Sequence, residues 1–480
     1  MITTAGVPRS VCGCPIDVQK FIAKFGCAAH LAVLTVAPLF LFPFVGQETL
    51  AVALLWLSLP AALWTVLEPS VRGGEHLHDA RRRVVRGILR DPLFWASLVI
   101  VVLTGVRAVN SGVALAYDAE TSKWFVAEAS LPVLPGSVGT DGVLPFAVAV
   151  ALTVLLQGHR HSLGRQARMG FLLIASALGG IASVLLHLAV FSGLPGALSL
   201  LETANATCSF IGFSCGLLLM GGTVALVAAF ECRWNPAMIL LIFSVGGTAA
   251  GAFSFSPVYL SAGVGLAELI LLAYAFAYST RNLQSAGEFK MLVVGGMALV
   301  LGGLMVAALL PEKAVAVRLE AFKGLTFFPE RFWETRAVLS GVALKAWLSH
   351  LWIGTGVGSF SLDFRFHAAA ADWASFPCGV PAVNNGWWQL LAERGIVGFV
   401  FFALPFGFLL FTYGRRLIGG AVAWMLPHPA CLLLPLCFLL FVVVGFCDGS
   451  PIRADALLTA ESMMAVSAAS FPRKQREMNG

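Results

Sequence analysis

Residues 381–402 read PAVNNGWWQLLAERGIVGFVFF and join the most polar part of the chain directly to an apolar run. An adjacent acid and base, Glu393 and Arg394, stand at the junction. The run that follows has about 18 apolar residues, which is enough to cross a bilayer as a helix. The largest water-soluble segment, residues 311–394, ends here. We therefore expect an active-site region at a membrane surface.

The composition places the chain in a membrane. Of its 480 residues, 58% are hydrophobic and 12% are charged, whereas a soluble protein carries about 25% charged residues. The mean hydropathy is +0.86. The apolar residues form unbroken runs, not the alternating strands of an outer-membrane barrel. These features predict an all-α, polytopic membrane protein.

Apolar runs divide the chain into membrane spans and loops. Runs occur at residues 26–45, 50–67, 93–110, 142–157, 169–192, 208–230, 237–254, 258–279, 290–310, 395–413, 429–447 and 455–470. We therefore predict about 12 transmembrane helices. Helices 1–9 occupy residues 1–310, a large periplasmic loop occupies 311–394, and helices 10–12 with a cytoplasmic tail occupy 395–480.

The distribution of Lys and Arg predicts the orientation. With a cytoplasmic N-terminus, 20 of the 31 basic residues fall on the inner side, and eight of the outer ones belong to the single long loop. Both termini are therefore expected in the cytoplasm of a bacterial cell, with the chain in the inner membrane. The basic segment 72–90 is better explained as a topology determinant facing anionic lipid than as a nucleic-acid site.

Two outer segments are long enough to carry function. Residues 111–141 predict an ordered or lipid-skimming loop. In the long loop, RFWETRAVLSGVALKAWLSH at 331–350 predicts an amphipathic helix that lies on the membrane or caps the bundle. The next residues, LWIGTGVGSF at 351–360, predict a glycine-rich turn. Because GTGVG matches neither nucleotide-binding pattern and lacks a strand–helix context, we reject a nucleotide loop.

The long loop collects the polar and aromatic side chains that the spans lack. Arginine binds pyrophosphate through a planar, permanently charged fork, and aromatic rings suit sugar faces. The simpler interpretation is that the arginines pair with Glu330, Glu334, Asp363 and Glu393, while the tryptophans form an interfacial belt.

Few side chains inside the spans invite a functional interpretation. Glu268 lies in the middle of span 8 and is either a functional carboxylate or a helix-packing group. His30 and His187 are interpreted as buried imidazoles with satisfied hydrogen bonds. Most cysteines, including Cys208, Cys215, Cys431 and Cys437, lie in apolar runs and are expected to be small buried residues. The Cys12-Gly13-Cys14 pair has no neighbouring partners for a metal site.

An ordered set of motifs resembles the O-antigen ligase and polysaccharide polymerase superfamily of bacterial inner membranes. The set begins with Arg331-Phe332-Trp333 and the glycine-rich residues 351–360. It continues with Asn384-Asn385 and the run Gln389-Leu390-Leu391-Ala392-Glu393-Arg394-Gly395, and closes with DGSPIR at 448–453. The motifs cover about 65 residues closely, and the plan of spans extends the likeness over the chain.

The resemblance implies glycan transfer from an undecaprenyl-pyrophosphate carrier to an acceptor, which is lipid A core, a growing polysaccharide or a protein. It implies no metal, cofactor or nucleic acid; the partners are the lipid-linked glycan, the acceptor and the bilayer. In such enzymes arginines hold the pyrophosphate and a histidine deprotonates the acceptor hydroxyl. The catalytic candidates are Arg331, Asn384, Glu393, His350 and His367, and the substrate-binding candidates are Arg336, Arg365, Arg394, Asn385, Trp387, Trp388 and Gln389.

This sequence departs from the family pattern at two places. Asn384 stands where the family has its histidine, and an amide cannot act as a general base. Pro257 stands where the family often has an arginine, at the outer start of a span. Three hypotheses follow: a transferase whose base is His350, His367 or Glu393, a membrane protein that binds a polyprenyl-linked glycan without transferring it, and a transporter or flippase for such lipids.

Overall fold

Helices form nearly all of the regular structure in this computed structural model. The structure describes residues 18–41, 45–71, 74–110, 115–118, 123–126, 142–192, 209–231, 235–282, 332–369, 385–420, 428–447 and 454–470, and the single residues 296, 316, 320, 323 and 383. Outside the residues described here lie predicted span 9 except for residue 296, Arg331, Asn384, Cys12, Cys14, Cys208 and the motif at 448–453.

The described helices follow in chain order. They are α1 (Val18–Leu41), α2 (Gln47–Leu67), α3 (Leu77–Leu89), α4 (Pro92–Val109), α5 (Val143–Gln157), α6 (Arg165–Phe191), α7 (Ser209–Glu231), α8 (Asn235–Ser254), α9 (Val258–Asn282), α10 (Phe332–Ser349), α11 (Phe360–His367), α12 (Gly386–Gly420), α13 (Leu433–Cys447) and α14 (Ala454–Ser470). A π-helical turn, Gly158–Ser162, extends α5, and a 3₁₀ turn, Pro429–Leu432, precedes α13.

The predicted apolar runs coincide with helices wherever the structure describes them. Eight of these helices are long and apolar enough to cross a membrane, and three shorter apolar segments lie within α1, α8 and α14. The chain is therefore a polytopic membrane protein. At its centre is α7, whose window 210–229 is completely buried, as expected for a helix that is apolar on every side.

The buried polar groups behave largely as the sequence predicts. His187 is satisfied by the Ser183 carbonyl at 2.7 Å and the Ser254 hydroxyl at 2.8 Å. Cys215, Cys431 and Cys437 are buried free thiols. These residues therefore serve the packing of the bundle.

Two local elements were not predicted. Within 111–141, β1 (Leu115–Asp118) and β2 (Lys123–Val126) form an antiparallel hairpin in which Leu115 pairs with Val126. Within the basic segment 72–90, α3 is a regular helix that packs inward through Ala80 and Val84. The four-residue spacing of these two small apolar residues is the signal that identifies α3 in the sequence.

Helix α4 connects two faces of the bundle. At its start, the carboxylate of Asp91 lies 3.1 Å from Arg160 Nε and 2.9 Å from His161 Nε2. At its end, Arg107 Nη2 donates to the carbonyl oxygen of Ile353 at 2.6 Å. Since 18 helical residues rise about 27 Å, these ends lie on opposite sides. We call them the basic face, which contains Asp91, Arg160 and His161, and the loop face, which contains Arg107 and Ile353.

A small second core forms on the loop face. It joins α10, α11 and the start of α12, and its buried members are Leu339, Val342, Ala343, Ala346, Phe360, Phe364, Val383 and Ala392. The segment predicted as a helix at 331–350 is therefore a helix, although its apolar side chains pack against α11 and α12. The same core fixes the first turns of α12 relative to the loop.

Candidate functional site

The junction predicted at Gly395 is a break inside a helix. Helix α12 begins at Gly386, nine residues before the predicted span, and Gly395 interrupts it with φ 65° and ψ −173°. Residues 386–394 form its first arm and residues 396–420 its second arm. A break of this kind removes helical hydrogen bonds on both sides, so the freed groups need partners elsewhere.

The glycine-rich turn supplies these partners. The amides of Thr355 and Gly356 donate to the carbonyl oxygens of Ala392 and Glu393 at 2.9 and 3.0 Å. In the other direction, the amides of residues 396 and 397 donate to the carbonyl oxygens of residues 351 and 352 at 3.0 and 3.1 Å. The turn therefore replaces the helical bonds that the break removes, and holds the polar end of α12 in place.

Two glycines make this contact possible. A Cβ on Gly354 would lie 2.5 Å from Arg394 N, and a Cβ on Gly395 would lie 2.5 Å from Ile353 N. Both glycines have positive φ, in a region that side chains rarely adopt. The GTGVG pattern thus serves a backbone-to-backbone contact beside Glu393 and Arg394, which is consistent with rejecting a nucleotide loop.

Glu393 is the buried carboxyl group of the site, with 7% of its surface exposed. Its Oε1 accepts from Gln389 Nε2 at 3.1 Å, and the amide of Gly358 also donates to it. Gln389, predicted to bind substrate, therefore orients Glu393. Burial and these two hydrogen bonds hold the carboxyl group of Glu393 in one position.

Two arginines adjoin this carboxyl group. Arg394 is the next residue along α12, and Arg107 reaches the site from α4 through its bond to Ile353 O. Arg107 interacts electrostatically with both Glu393 and Arg394. Two guanidinium groups beside one carboxyl group leave at least one excess positive charge, which suits an anion. Arg107 was not among the predicted site residues.

A second polar group surrounds Asp363 of α11. Its Oδ2 accepts from Thr355 Oγ1 at 2.7 Å and from Ser359 Oγ at 3.0 Å. Burial raises the pKa of Asp363 above its ordinary value, and the two hydroxyls oppose this rise. The candidate bases His350 and His367 both interact electrostatically with the same carboxyl group. The structure therefore brings both histidines to one acid that the sequence analysis did not single out.

His350 is the more accessible of the two histidines. It is exposed, its Nδ1 lies 3.0 Å from Ser349 Oγ, and no described residue hydrogen-bonds its Nε2. Its carbonyl accepts from Gly354 N at 2.8 Å, which ties it to the turn that fills the α12 break. His367 is partly buried at the end of α11.

Arg336 supports the fold at the edge of the site. Its guanidinium bonds to the carbonyl oxygen of Cys447 through Nε at 2.8 Å and also through Nη2, and it lies over the Phe332 ring, 3.3 Å from its centre. Because Cys447 is the last residue of α13, Arg336 caps that helix and joins it to α10. Arg365, another predicted substrate ligand, is exposed on α11.

Three further predicted ligands start α12. Asn385 Oδ1 accepts from the amides of Trp387 and Trp388, both at 3.2 Å, so it caps the helix. The Trp387 indole donates to Val442 O at 3.2 Å and packs on α13. Trp388 packs against the small second core. In this structure all three position the first arm.

Glu268 forms a separate buried contact inside the bundle. The hydroxyl of Thr223 on α7 donates to its Oε1, while its Oε2 has no partner among the described residues. This contact joins α7 and α9 and does not involve the loop face.

The sequence was compared with known proteins. No protein-family model matches the chain, and no curated protein matches it significantly.

Proposed function

We propose that this protein transfers a glycan from an undecaprenyl-pyrophosphate carrier to lipid A core or a growing polysaccharide on the periplasmic face of the bacterial inner membrane. The observation that carries the proposal is the meeting of Arg107 and Arg394 beside the buried carboxyl group of Glu393. This cluster lies at the break of a membrane helix, where the polar head of a lipid-linked donor would stand. The motif order of the O-antigen ligase and polymerase superfamily supports the same chemistry.

The proposed topology has 12 spans and two cytoplasmic termini, with the apolar run 290–310 as the ninth span. The loop face is then periplasmic and the basic face cytoplasmic. In support, the ends of α4 and α13 each contact the described part of the long loop, whereas the exposed arginines of α3 lie at the opposite end of α4. The large loop would bring α10 and α11 over the periplasmic ends of these helices.

The two arginines would stabilise the leaving group. When the bond between the sugar C1 and the phosphate oxygen breaks, negative charge develops on the pyrophosphate. Arg107 and Arg394 provide fixed positive charges there, in a site where burial strengthens electrostatic interactions. Glu393 would hold both side chains in position before the donor arrives. Losing one such donor group typically lowers the rate about 100- to 1000-fold.

His350 is our assignment for the base. Its Nε2 would accept the proton of the acceptor hydroxyl while that oxygen forms a bond to the sugar C1. The C1–phosphate bond breaks with its electron pair, and undecaprenyl pyrophosphate leaves. Asp363 nearby would stabilise the imidazolium that forms. This assignment removes the need for a base at Asn384, which would position the acceptor by hydrogen bonding.

Complementation tests the proposal. The gene is expressed in bacterial strains that lack an O-antigen ligase or a polymerase, and the glycan products are separated on a gel. Because the test strains make different sugars from the native host, purified protein is also assayed with carrier-linked glycan from its own host. We expect transfer by the wild type and by Asn384→Ala, and loss of transfer with Arg331→Ala, Arg394→Gln or His350→Ala. Carrier binding without transfer from any native donor would favour a non-catalytic binding protein, and movement of the intact carrier across vesicles would favour a flippase.

A further inference from the structure

Helix α3 lies on the basic face between the membrane helices α2 and α4. It has 13 residues, LHDARRRVVRGIL, and buries Ala80 and Val84. Its Gly87 is packed against the His161 ring, so the helix rests on the bundle along one side. The other sides are open to the surroundings.

Two of its arginines fasten it to the end of α2. Arg81 Nε donates to Leu67 O at 2.7 Å. Arg83 donates to Ser70 O at 2.9 Å and pairs with Glu75 at 3.0 Å. Both guanidinium groups are therefore bonded to other parts of the chain, and these bonds fix the orientation of α3.

Three other arginines point away from the protein. Arg82, Arg86 and Arg90 are exposed, and no described residue hydrogen-bonds or pairs with their side chains. Their four-residue spacing places them in one row, with about 6 Å of rise between neighbours. The exposed Asp79 is the one acid of this helix, so the row keeps an excess of positive charge.

An apolar stripe runs beside this row. Val85 and Leu89 precede Arg86 and Arg90 by one position, and Leu89 is 53% exposed. Trp95 in the first turns of α4 is 52% exposed, and its indole donates to Leu89 O at 3.0 Å. Since α4 is a membrane helix, exposed Trp95 marks the boundary between acyl chains and headgroups. The arginine row therefore stands at the level of lipid headgroups.

We propose that Arg82, Arg86 and Arg90 bind the phosphate groups of anionic phospholipids in the leaflet at the basic face. A helix with an exposed apolar stripe next to a row of arginines is the arrangement that lies in a membrane interface. Arginine recognises phosphate through two parallel hydrogen bonds. Arg81 and Arg83 bond to the protein itself, so the phosphate ligands are the three exposed arginines of the row. This site does not depend on the proposed transferase activity.

Native mass spectrometry of the purified full chain tests the site. Apparent Kd values are measured for phosphatidylglycerol and for zwitterionic phosphatidylcholine, and thermal unfolding is followed with each lipid and with inorganic phosphate. An arginine near an anionic surface strengthens binding about fivefold, so the triple variant R82Q/R86Q/R90Q should bind phosphatidylglycerol roughly 100-fold more weakly. Phosphatidylcholine binding should not change. The control K323Q/K345Q removes two exposed positive charges from the long loop, away from the basic face, and should keep the preference for phosphatidylglycerol.

Two more variants keep the test decisive. If the triple glutamine variant does not fold, R86Q alone should still weaken phosphatidylglycerol binding about fivefold. R82K/R86K/R90K should retain most of it because the charges remain. Equal losses in the control and test variants, or equal stabilisation by inorganic phosphate, would overturn the proposal. Binding of RNA that depends on the three arginines, without any lipid preference, would overturn it as well.

Discussion

Replacing Gly395 by alanine tests whether the turn at 351–356 holds the break in α12. The new Cβ would lie 2.5 Å from Ile353 N and would also meet the carbonyl oxygen of Trp352. Both atoms belong to the backbone, so no side-chain rotation can relieve the overlap. The turn must move away from α12, or the break must change its shape.

The structure sets the size of the effect. Alanine at φ 65° and ψ −173° enters a region that only glycine uses readily, at a cost of about 1–3 kcal/mol. Moving the turn also weakens four hydrogen bonds between it and α12, and losing two of them adds about 1–3 kcal/mol. We expect a local loss of about 3 kcal/mol, which corresponds to a roughly 100-fold larger open population.

Amide hydrogen exchange measures this opening directly. The amides of Thr355, Gly356, Ile396 and Val397 donate the four bonds, so peptides covering residues 351–360 and 390–400 should exchange about 100-fold faster in the variant. Gly407→Ala in the second arm is the matched control. Nothing lies within 4 Å of its new Cβ, so protection there should stay the same or increase.

The refuting result is equally specific. If exchange at these four amides is the same in wild type and Gly395→Ala, the turn does not hold the break. The positions inferred for Glu393 and Arg394 would then lose their structural basis.

Three further predictions concern side chains around the bundle. Arg336→Ala removes charge-assisted hydrogen bonds to Cys447 O worth about 1–3 kcal/mol and should lower the unfolding temperature, and Arg336→Lys should restore part of the loss. Equal unfolding temperatures for Arg336→Ala and the wild type would exclude the capping role. Thr223→Val leaves Oε1 of Glu268 without its hydrogen-bond donor and should lower the free energy of unfolding by about 1–3 kcal/mol. An unchanged unfolding temperature would show that this bond does not stabilise the bundle. Burial raises the pKa of Asp363 in the folded protein above its value of about 4 in the unfolded chain. The protonated side chain therefore contributes its full stability below a pH of about 4, and this contribution is lost as the pH rises through the pKa of the folded protein. The unfolding temperature of Asp363→Asn should therefore rise relative to that of the wild type as the pH increases. A difference between the two temperatures that does not change with pH would contradict the raised pKa.

The sequence predicts the parts of the fold that depend on local pattern. The apolar runs identify the membrane helices because a span must be apolar over its whole length. The helix at 331–350 and the turn after it follow from residue types in the same way. The sequence predicts that the span in α12 starts at residue 395, because the residues before it are polar. In the structure Asn385 caps a helix there, and the second core stabilises it.

The site itself depends on contacts that no local pattern contains. Arg107 bonds to Ile353 across 246 positions, so its proximity to Glu393 follows only from the packing of α4 against α12. Asp363 resembles any helical acid until the hydroxyls of Thr355 and Ser359 are seen to bond to it. Arg336 illustrates the opposite case, because a side chain chosen for its charge caps α13. Residue type predicted the chemistry of the region, whereas packing determined which side chains meet.

Transfer by purified protein shows whether Arg107 and Arg394 stabilise the leaving group. Wild type, Arg107→Gln, Arg394→Gln and the control Arg415→Gln are incubated with carrier-linked glycan and acceptor, and released undecaprenyl pyrophosphate is measured. Arg415 is exposed on the second arm, about 30 Å along α12 from Arg394. We expect activity in the wild type and the control and a decrease of about 100-fold or more in each of the other two variants. Wild-type rates in both Arg107→Gln and Arg394→Gln would contradict it.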